Sequence, residues 1–473
     1  MTRLRILVLA PDANPEAICG PLLSYSQAEA LAELHDVTLA VRSHSEKPVG
    51  RGKARFLSVE VIRLPWLEAA YNWTLRKVFK NDFRSQVLTA FGYPFCVAFE
   101  WGVWRRMRSR IIAGEFDVVL RLLPITAVLP SPLAYILRKG PIPFVIGPIN
   151  GGLPFPKGFS QADNQKQWIS GLRNLYRFLP FARSTYRDAA AIMAGSSQTY
   201  VEFAAYREKT FFLPENGVSP SFCSGDPRAN TQNAKLHLIF VGGLAPYKAC
   251  DLAFRAAATL LRNELADFTV IGDGPERNRL EQLAISLGVE NAISFTGMLP
   301  HGQTMQRLRS ADVLVFPSVR EFGGAVVIEA LASGAVPVVA DFGGPADIVH
   351  PDVGYKVVLT NESDVVAQIE KILTELAHNR VLLEQLRQRG MAYARECYTW
   401  DAKARAITRI LDWAAGRGPK PDFPPPKDLA AHHVNNFGSH RDDSAIVTNV
   451  STEHKAVDLT RDSFDKTLEK SPS

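Results

Sequence analysis

Short runs of apolar residues recur along the chain, and stretches with helical spacing of apolar residues lie between them. In the first half, these runs predict buried strands at residues 5–9, 37–41, 118–120, 144–146 and 190–195. The second half predicts further strands at residues 236–241, 268–271, 293–295, 313–316 and 336–340. Helices are predicted at residues 27–34, 251–261, 275–287, 325–332 and 399–413. Strands that alternate with helices indicate an α/β fold with parallel sheets covered by helices on both faces.

The alternation is interrupted between residues 214 and 235. We therefore expect two facing α/β domains, with a ligand bound in the cleft at the carboxyl ends of their strands. From Gly416 to residue 473 the chain is rich in Pro, Asp, Ser and Lys and has little periodicity. This composition predicts a disordered tail.

Composition and charge narrow the class of protein only slightly. A chain of 473 residues is long enough for two or three domains. Its formal charge of +6 suits an anionic substrate or a membrane surface, but it is equally compatible with no special partner. We expect no nucleic-acid partner. The five cysteines have no paired spacing, which predicts reduced thiols. The longest uncharged apolar stretch, residues 122–137, contains three prolines and is too short to span a bilayer, so we expect no transmembrane helix. Together with the reduced thiols, this leads us to expect a cytoplasmic protein.

Residues 66–110 are rich in aromatic and cationic side chains, including the run Trp-Gly-Val-Trp-Arg-Arg-Met-Arg-Ser-Arg at 101–110. One hypothesis is an amphipathic helix that rests on an anionic membrane surface, which would place the protein on the inner face of the membrane. The other is a helix whose tryptophans pack inward while its arginines face water. The sequence leaves both open.

Two glutamates, Glu321 and Glu329, stand with seven residues between them at a strand-to-helix junction. Glu321 lies in the loop after the strand at 313–316, and Glu329 lies inside a helix that is otherwise almost entirely apolar. A helix of that composition is buried on most faces, so its carboxylate requires a partner. The N–H groups of the loop and the helix dipole favour an anion, so a phosphate near Glu321 and a hydroxyl-bearing ring near Glu329 are expected.

Other loops that follow strands carry glycines and one lysine. Gly242 and Gly243 precede Lys248, which could neutralise a diphosphate, and Gly272 and Gly274 form a tight turn before the next helix. In the first half, a strand runs into a glycine-rich loop that contains Asn150, Gly151 and Gly152, which we assign to the acceptor side or the cleft. The sequence has no Asp-x-Asp motif and no His/Cys metal spacing, so we expect neither a metal ion nor another cofactor.

Taken in order, these motifs resemble those of the retaining GT-B glycosyltransferases of family 4. The resemblance covers residues 236–350 and rests on six spaced motifs: Gly-Gly-Leu with Lys248, Ile-Gly-Asp-Gly-Pro, Phe-x-Gly, Ala-Asp-Val-x-Val-x-Pro-Ser, Glu-x7-Glu with Ala-Ser-Gly-x-Pro-Val-Val, and Gly-Gly-Pro-Ala-Asp-Ile-Val. It implies a GT-B fold of two facing Rossmann-like domains. The first domain (1–215) would hold the acceptor and the second (216–395) the donor. A helix at 396–415 would cross back to the first domain, and the disordered tail (416–473) would follow.

The resemblance also implies roles for the site residues. Glu321 would face the donor sugar, and Lys248 would contact the diphosphate. The backbone of Phe322, Gly323, Gly324 and Ala325 would lie near the sugar and phosphate, and Glu329 would bind the ribose hydroxyls.

The chain departs from the family pattern at several positions. Gly243 and Ala249 stand where family members usually have Arg and Gly, and the loop after Glu321 reads Phe-Gly-Gly instead of Gly-Phe-Gly. The loop after the first strand has Gly-Pro at 20–21 instead of Gly-Gly, and Asn150 stands where many members have a His. Half of the usual diphosphate clamp is therefore missing unless another cation supplies it.

We therefore expect a metal-independent retaining enzyme that moves a hexose-type sugar from a nucleoside-diphosphate sugar to a glycan or lipid-linked acceptor, in cell-surface polysaccharide biosynthesis. Two alternatives remain open. One is a nucleotide-sugar 2-epimerase on the same fold, and the other is a non-catalytic nucleotide-sugar-binding scaffold.

Overall fold

The computed structural model describes residues 2–17, 20–65, 69, 92–124, 126, 129–151, 153, 156, 178–223 and 235–425. Within these ranges the chain forms two parallel sheets, one of seven strands in the order β3-β2-β1-β4-β5-β6-β7 and one of six in the order β10-β9-β8-β11-β12-β13. The strands of the first sheet are β1 (Arg5–Leu9), β2 (Asp36–Arg42), β3 (Ser58–Ile62), β4 (Val118–Arg121), β5 (Phe144–Ile149), β6 (Ala191–Ala194) and β7 (Thr210–Phe212). Those of the second are β8 (Leu236–Val241), β9 (Ala266–Ile271), β10 (Ile293–Gly297), β11 (Val313–Phe316), β12 (Val336–Ala340) and β13 (Tyr355–Val357).

Helices connect the strands and cover the faces of both sheets. Those before residue 220 are α1 (Gly20–Leu34), α2 (Ser43–Arg51), α3 (Tyr93–Ile112), α4 (Pro132–Leu137), α5 (Ala182–Asp188) and α6 (Ser197–Glu202). Those after it are α7 (Cys250–Arg262), α8 (Arg277–Leu287), α9 (His301–Ser310), α10 (Ala325–Ser333), α11 (Gly343–Ile348), α12 (Glu362–His378), α13 (Arg380–Cys397) and α14 (Trp400–Ala414). The predicted α/β class with two parallel sheets is confirmed.

The strands that the apolar runs predicted lie in the cores of the two domains. In β11, for example, every residue from Val313 to Phe316 is at most 1% exposed, because helices cover both faces of the sheet. Helix α1 begins at Gly20, earlier than the predicted 27, because Pro21 is compatible with the first turn of a helix. Four cysteines lie in the described ranges, and all of them are free thiols.

The chain crosses between the two domains at two adjacent places. The first crossing follows β7, and the second lies between α13 and α14. Val218 and Thr399 form a parallel bridge there, and the Val218 N–H donates to the Tyr398 carbonyl at 2.9 Å. Helix α14 then packs against α1 and contributes Ala404, Ile407, Ile410 and Leu411 to the core of the first domain.

The segment after α14 continues along the first domain. Arg417 pairs with Asp117, and the Phe212 N–H at the edge strand β7 donates to the Phe423 carbonyl at 2.9 Å. Residues 416–425, which composition assigned to a disordered tail, are therefore in contact with the first domain. The rest of that predicted tail, 426–473, lies outside the described residues.

Helix α3 contains the described part of the aromatic and cationic segment predicted at 66–110. Its inner face packs Phe99, Val103 and Met107 into the core, and Arg106 and Arg110 reach the Glu60 carboxylate. Trp104 packs against the same core, whereas Trp101 is half exposed. No helix in the described parts of the chain is long and apolar enough to cross a membrane.

Candidate functional site

Four loops meet at the carboxyl edge of the second sheet. They are the lysine loop after β8 (242–249), the Asp273 turn after β9 (272–276), the Glu321 loop after β11 (317–324) and the segment that leads from β12 into the first residue of α11 (341–343). Because β9, β8, β11 and β12 are neighbours in the sheet, their carboxyl ends lie side by side. The sequence predicted a ligand at the carboxyl ends of the strands, but not the contacts between these loops.

Backbone contacts fix the lysine loop against the Asp273 turn. The Gly242 N–H donates to the Ile271 carbonyl and the Leu244 N–H to the Asp273 carbonyl, both at 2.9 Å. Gly272 has φ of +136°, and a Cβ there would lie 1.9 Å from the Gly242 carbonyl oxygen. Glycine is therefore required at position 272 by both conformation and space.

Lys248 and Glu321 form an ion pair between the lysine loop and the Glu321 loop. The side chains are 14% and 23% exposed, so both charges remain accessible from one direction. The Lys248 ammonium also lies 5.1 Å from the centre of the Phe316 ring, a distance at which the ring attracts a cation. The sequence analysis predicted both residues as catalytic. It did not predict that they pair directly, since they lie 73 residues apart in the sequence.

The Glu321 loop is held on both sides by backbone hydrogen bonds. The Val319 N–H donates to the Tyr247 carbonyl at 2.9 Å, and the Gly344 N–H donates to the Glu321 carbonyl at 3.0 Å. The loop ends at Gly324, whose φ of +60° starts helix α10 at Ala325. The positive end of a helix dipole therefore lies next to the Lys248–Glu321 pair, where it favours a bound anion.

Glu329 lies one turn inside α10, and its carboxylate has a partner that the sequence analysis did not identify. His301, at the start of α9, places Nε2 2.9 Å from Glu329 Oε1. This hydrogen bond raises the pKa of His301 above its ordinary value. The prediction that the Glu329 carboxylate requires a partner is confirmed by this contact, and the side chain remains 20% exposed towards the edge of the site.

The first domain reaches the site through the loop after β5. Asn150 donates from Nδ2 to Oε1 of Glu215 at 2.5 Å, and the Gly151 N–H donates to Thr199 Oγ1 at 2.7 Å. Arg320 of the Glu321 loop donates from Nε to the Leu153 carbonyl at 3.2 Å, so the two domains touch beside the candidate site. Gly152, which the sequence placed with Asn150 and Gly151, lies outside the described residues.

Burial shifts the pKa values of three groups near this junction. It raises the pKa of the Glu215 carboxyl to about 7 and that of Asp347, which accepts from the Ser197 N–H of the first domain, to about 6. It lowers the pKa of Lys403, which donates to the Pro214 carbonyl, to about 7. Sequence reasoning missed Glu215 because Pro-Glu-Asn-Gly is typical of an exposed turn.

Gly243, which stands where family members usually have an arginine, has room for a side chain. A Cβ at Gly243 would lie 3.9 Å from its nearest neighbour, the Asp273 carbonyl oxygen, which is ordinary contact. Across the described ranges, no group of three or more His, Cys, Asp or Glu side chains is arranged to hold a metal ion.

The sequence profile described as "Glycosyl transferases group 1" matches residues 226–396. Residues 226–396 form a glycosyltransferase group 1 domain. This domain contains both glutamates, Lys248 and all four loops of the site.

Curated glycosyltransferases match parts of the chain. The uncharacterized glycosyltransferase MJ1607 of Methanocaldococcus jannaschii is 30% identical over 181 residues, which are 38% of this chain and 45% of that protein. The D-inositol 3-phosphate glycosyltransferase of Nocardia farcinica is 32% identical over 218 residues, 43% of this chain and 48% of the relative. The chain thus spans less than half of the length of each of these two relatives.

A solved structure resembles the whole arrangement of the two domains. HepE of Anabaena, in complex with UDP, superposes with a TM-score of 0.55 at 16% identity and covers 87% of this chain and all of HepE. The likeness extends over both sheets, so the predicted GT-B fold is confirmed. Membership of family 4, the retaining mechanism and the roles of the individual site residues remain predictions.

Proposed function

We propose that the protein is a metal-independent retaining glycosyltransferase of family 4 that transfers a hexose-type sugar from a nucleoside-diphosphate sugar to a glycan or lipid-linked acceptor. The observation that carries this proposal is the Lys248–Glu321 pair at the N-terminus of α10. The glycosyltransferase group 1 domain around the pair supports the reaction class. The UDP bound by HepE supports a nucleoside diphosphate as the leaving group.

The proposed chemistry assigns one task to each group at the sheet edge. The bond between the anomeric carbon and the diphosphate oxygen breaks, and Lys248 and the N–H groups of α10 stabilise the negative charge that develops on the diphosphate. The acceptor hydroxyl attacks the same face of the sugar, and its proton passes to the departing phosphate oxygen. Glu321 positions the donor and stabilises positive charge at the sugar ring.

Glu329 is proposed to bind the ribose hydroxyls of the donor, with His301 holding the carboxylate in place. Gly242, Gly243, Gly272 and Gly274 bring backbone close to the nucleotide. Asn150, Gly151 and Gly152 are proposed for the acceptor side. A role in cell-surface polysaccharide biosynthesis on the inner face of the membrane is the matching biological proposal.

The first experiment measures binding of nucleoside diphosphates by titration calorimetry, with and without Mg²⁺. We expect one nucleoside diphosphate to bind without the metal, and Lys248→Met to weaken it roughly ten- to a hundredfold, because charge-assisted hydrogen bonds contribute about 1.5–3 kcal/mol. Lys235→Met is the matched control, because Lys235 is paired with Glu264 at the opposite, amino-terminal edge of β8. Equal effects of the two substitutions would contradict the diphosphate role of Lys248.

The second experiment separates binding from chemistry with Glu321→Gln. This variant should retain the nucleoside diphosphate, since Lys248 keeps its charge, and should lose turnover of the nucleotide sugar by on the order of a hundredfold or more. Unchanged turnover would refute the catalytic role. Conversion of the donor to its C2 epimer without acceptor would favour an epimerase, and tight binding with no turnover against any acceptor would favour a scaffold.

A further inference from the structure

Glu215 is a buried carboxyl at the junction of the two domains that the proposed reaction does not use. It lies where the chain leaves the first sheet, and only 5% of its surface is exposed. Two side chains of the first domain hold the backbone on either side: Gln27 donates to the Glu215 carbonyl at 2.8 Å, and Lys403 donates to the Pro214 carbonyl at 2.7 Å. These two hydrogen bonds therefore hold in place the backbone that carries the Glu215 carboxyl.

The carboxyl faces the amide of Asn150 with an unusual pattern of partners. Asn150 Nδ2 donates to Oε1, while neither Glu215 Oε2 nor Asn150 Oδ1 has a hydrogen-bond partner among the described residues. These two oxygens lie 2.6 and 2.9 Å from the point that a Cβ of Gly195 would occupy, so they border the same small buried space. Two buried acceptors side by side are unfavourable unless a proton lies between them.

A neutral acid resolves this pattern. With the proton on Oε2, Glu215 donates to Asn150 Oδ1 while Oε1 accepts from Nδ2, and the two groups close a ring of two hydrogen bonds. Burial, which raises the pKa of Glu215 to about 7, favours this form. The nearby negative charge of Glu321 also favours it, whereas the Glu215 N–H, the Asn150 amide and Lys403 favour the carboxylate.

The same carboxyl touches the Glu321 loop. A Cβ at Gly323 would lie 2.4 Å from Glu215 Oε1 and 2.1 Å from Asn216 Nδ2, so both side chains pack directly against the loop backbone. The position of Gly323 relative to the first domain is therefore set by the residues at 215 and 216. This contact explains why glycine is needed at 323, where the loop departs from the common Gly-Phe-Gly order.

We propose that Glu215 is a positioning residue that acts as a neutral acid, paired with the Asn150 amide, to hold the Glu321 loop in its nucleotide-binding position. Loss of the proton breaks the ring of hydrogen bonds and adds a second negative charge beside Glu321. The loop contact then weakens, and the site becomes less favourable for a diphosphate. This inference rests on the proposed function for the identity of the ligand.

Glu215→Gln tests the inference because a glutamine amide makes both hydrogen bonds to Asn150 at every pH. UDP affinity is measured by calorimetry from pH 6 to 8.5 for the wild type, for Glu215→Gln and for Glu215→Ala. If only the neutral form holds the loop, wild-type affinity relative to the Gln variant falls on the order of tenfold between pH 6 and 8. The Ala variant should bind more weakly than both at pH 6. Identical pH profiles for the wild type and the Gln variant, or a Gln variant as weak as Ala at pH 6, would overturn the proposal.

A second readout needs no nucleotide. The pKa of Glu215 in the folded protein is raised above the ordinary carboxyl value, so its stabilising effect is complete below that ordinary value and is lost as pH rises towards 7. The folding equilibrium constant of the wild type should therefore fall relative to that of Glu215→Gln, by up to about tenfold per pH unit, and then level off. The comparison is made below the Lys403 pKa of about 7, where this lysine is charged, because the charge of Glu215 itself raises that pKa. Failure of UDP to bind to any of the three would contradict the nucleotide site, while a stability difference that does not change with pH would contradict the neutral acid.

Discussion

Gly323 provides a sharp test of how the Glu321 loop meets the first domain. The Gly323→Ala substitution adds one methyl group at a buried position whose φ lies outside the left-handed region, so the backbone itself tolerates alanine. The new Cβ would lie 2.1 Å from Asn216 Nδ2 and 2.4 Å from Glu215 Oε1, whereas ordinary contacts begin at 3.4 Å. Both neighbours would have to withdraw by about 1 Å in a closely packed region.

Overpacking of this kind costs about 1–3 kcal/mol of folding free energy. We expect Gly323→Ala to lower the midpoint of urea unfolding accordingly and to weaken UDP binding, because the strain can be relieved only by moving the loop or the junction. The matched control is Gly243→Ala, which adds the same methyl group on the neighbouring loop with 3.9 Å of clearance. That control should stay within about 0.5 kcal/mol of the wild type.

A double-mutant cycle identifies the clashing atom. Adding Asn216→Ala to Gly323→Ala removes the nearer of the two atoms, so the combined loss of stability should be smaller than the sum of the single losses. If Gly323→Ala has the stability of Gly243→Ala and the UDP affinity of the wild type, the loop does not pack on residues 215 and 216 as described. Packing against these residues would then not account for glycine at 323.

Two further predictions concern departures from the family pattern. Gly243→Arg should tighten UDP binding roughly tenfold at low salt by supplying a second cation for the diphosphate, and Gly243→Gln, of similar length without the charge, should not; calorimetry at two salt concentrations would expose a gain unrelated to charge. Ala249→Gly should raise the free energy of unfolding by about 1 kcal/mol, because Ala249 has φ of +51° at the start of α7, and a stability equal to or below that of the wild type in urea unfolding would contradict this strain.

Several strands could be predicted from the sequence because they are buried on both faces and therefore apolar at every position. Ala191–Ala194 and Val336–Ala340 are of this kind, and every residue in them is buried. Strand β3 was missed because it lies at a sheet edge, where its first four residues are at least partly exposed. The three-residue strands β7 and β13 are too short for any periodicity to appear.

From the sequence, the separate loops of the candidate site could be predicted, but not the contacts between them. The positions of Lys248, Glu321 and Glu329 follow from strand ends and a buried helix, which are local features of sequence. Their partners do not follow, because the Lys248–Glu321 and Glu329–His301 contacts depend on the order of strands in the sheet. The neutral-acid assignment of Glu215 depends on burial between two domains, which no local pattern reports.

The return of α14 to the first domain has a consequence for biosynthesis. Ile407, Ile410 and Leu411 pack in the same core as Leu31 of α1, so the first sheet and α1 leave an apolar surface uncovered until residues 400–414 have been made. During synthesis from the N-terminus, the first domain therefore leaves the ribosome with its core incomplete. The missing helix α14 emerges only after the whole glycosyltransferase group 1 domain. The core of the first domain is consequently complete only after the second domain has been synthesised.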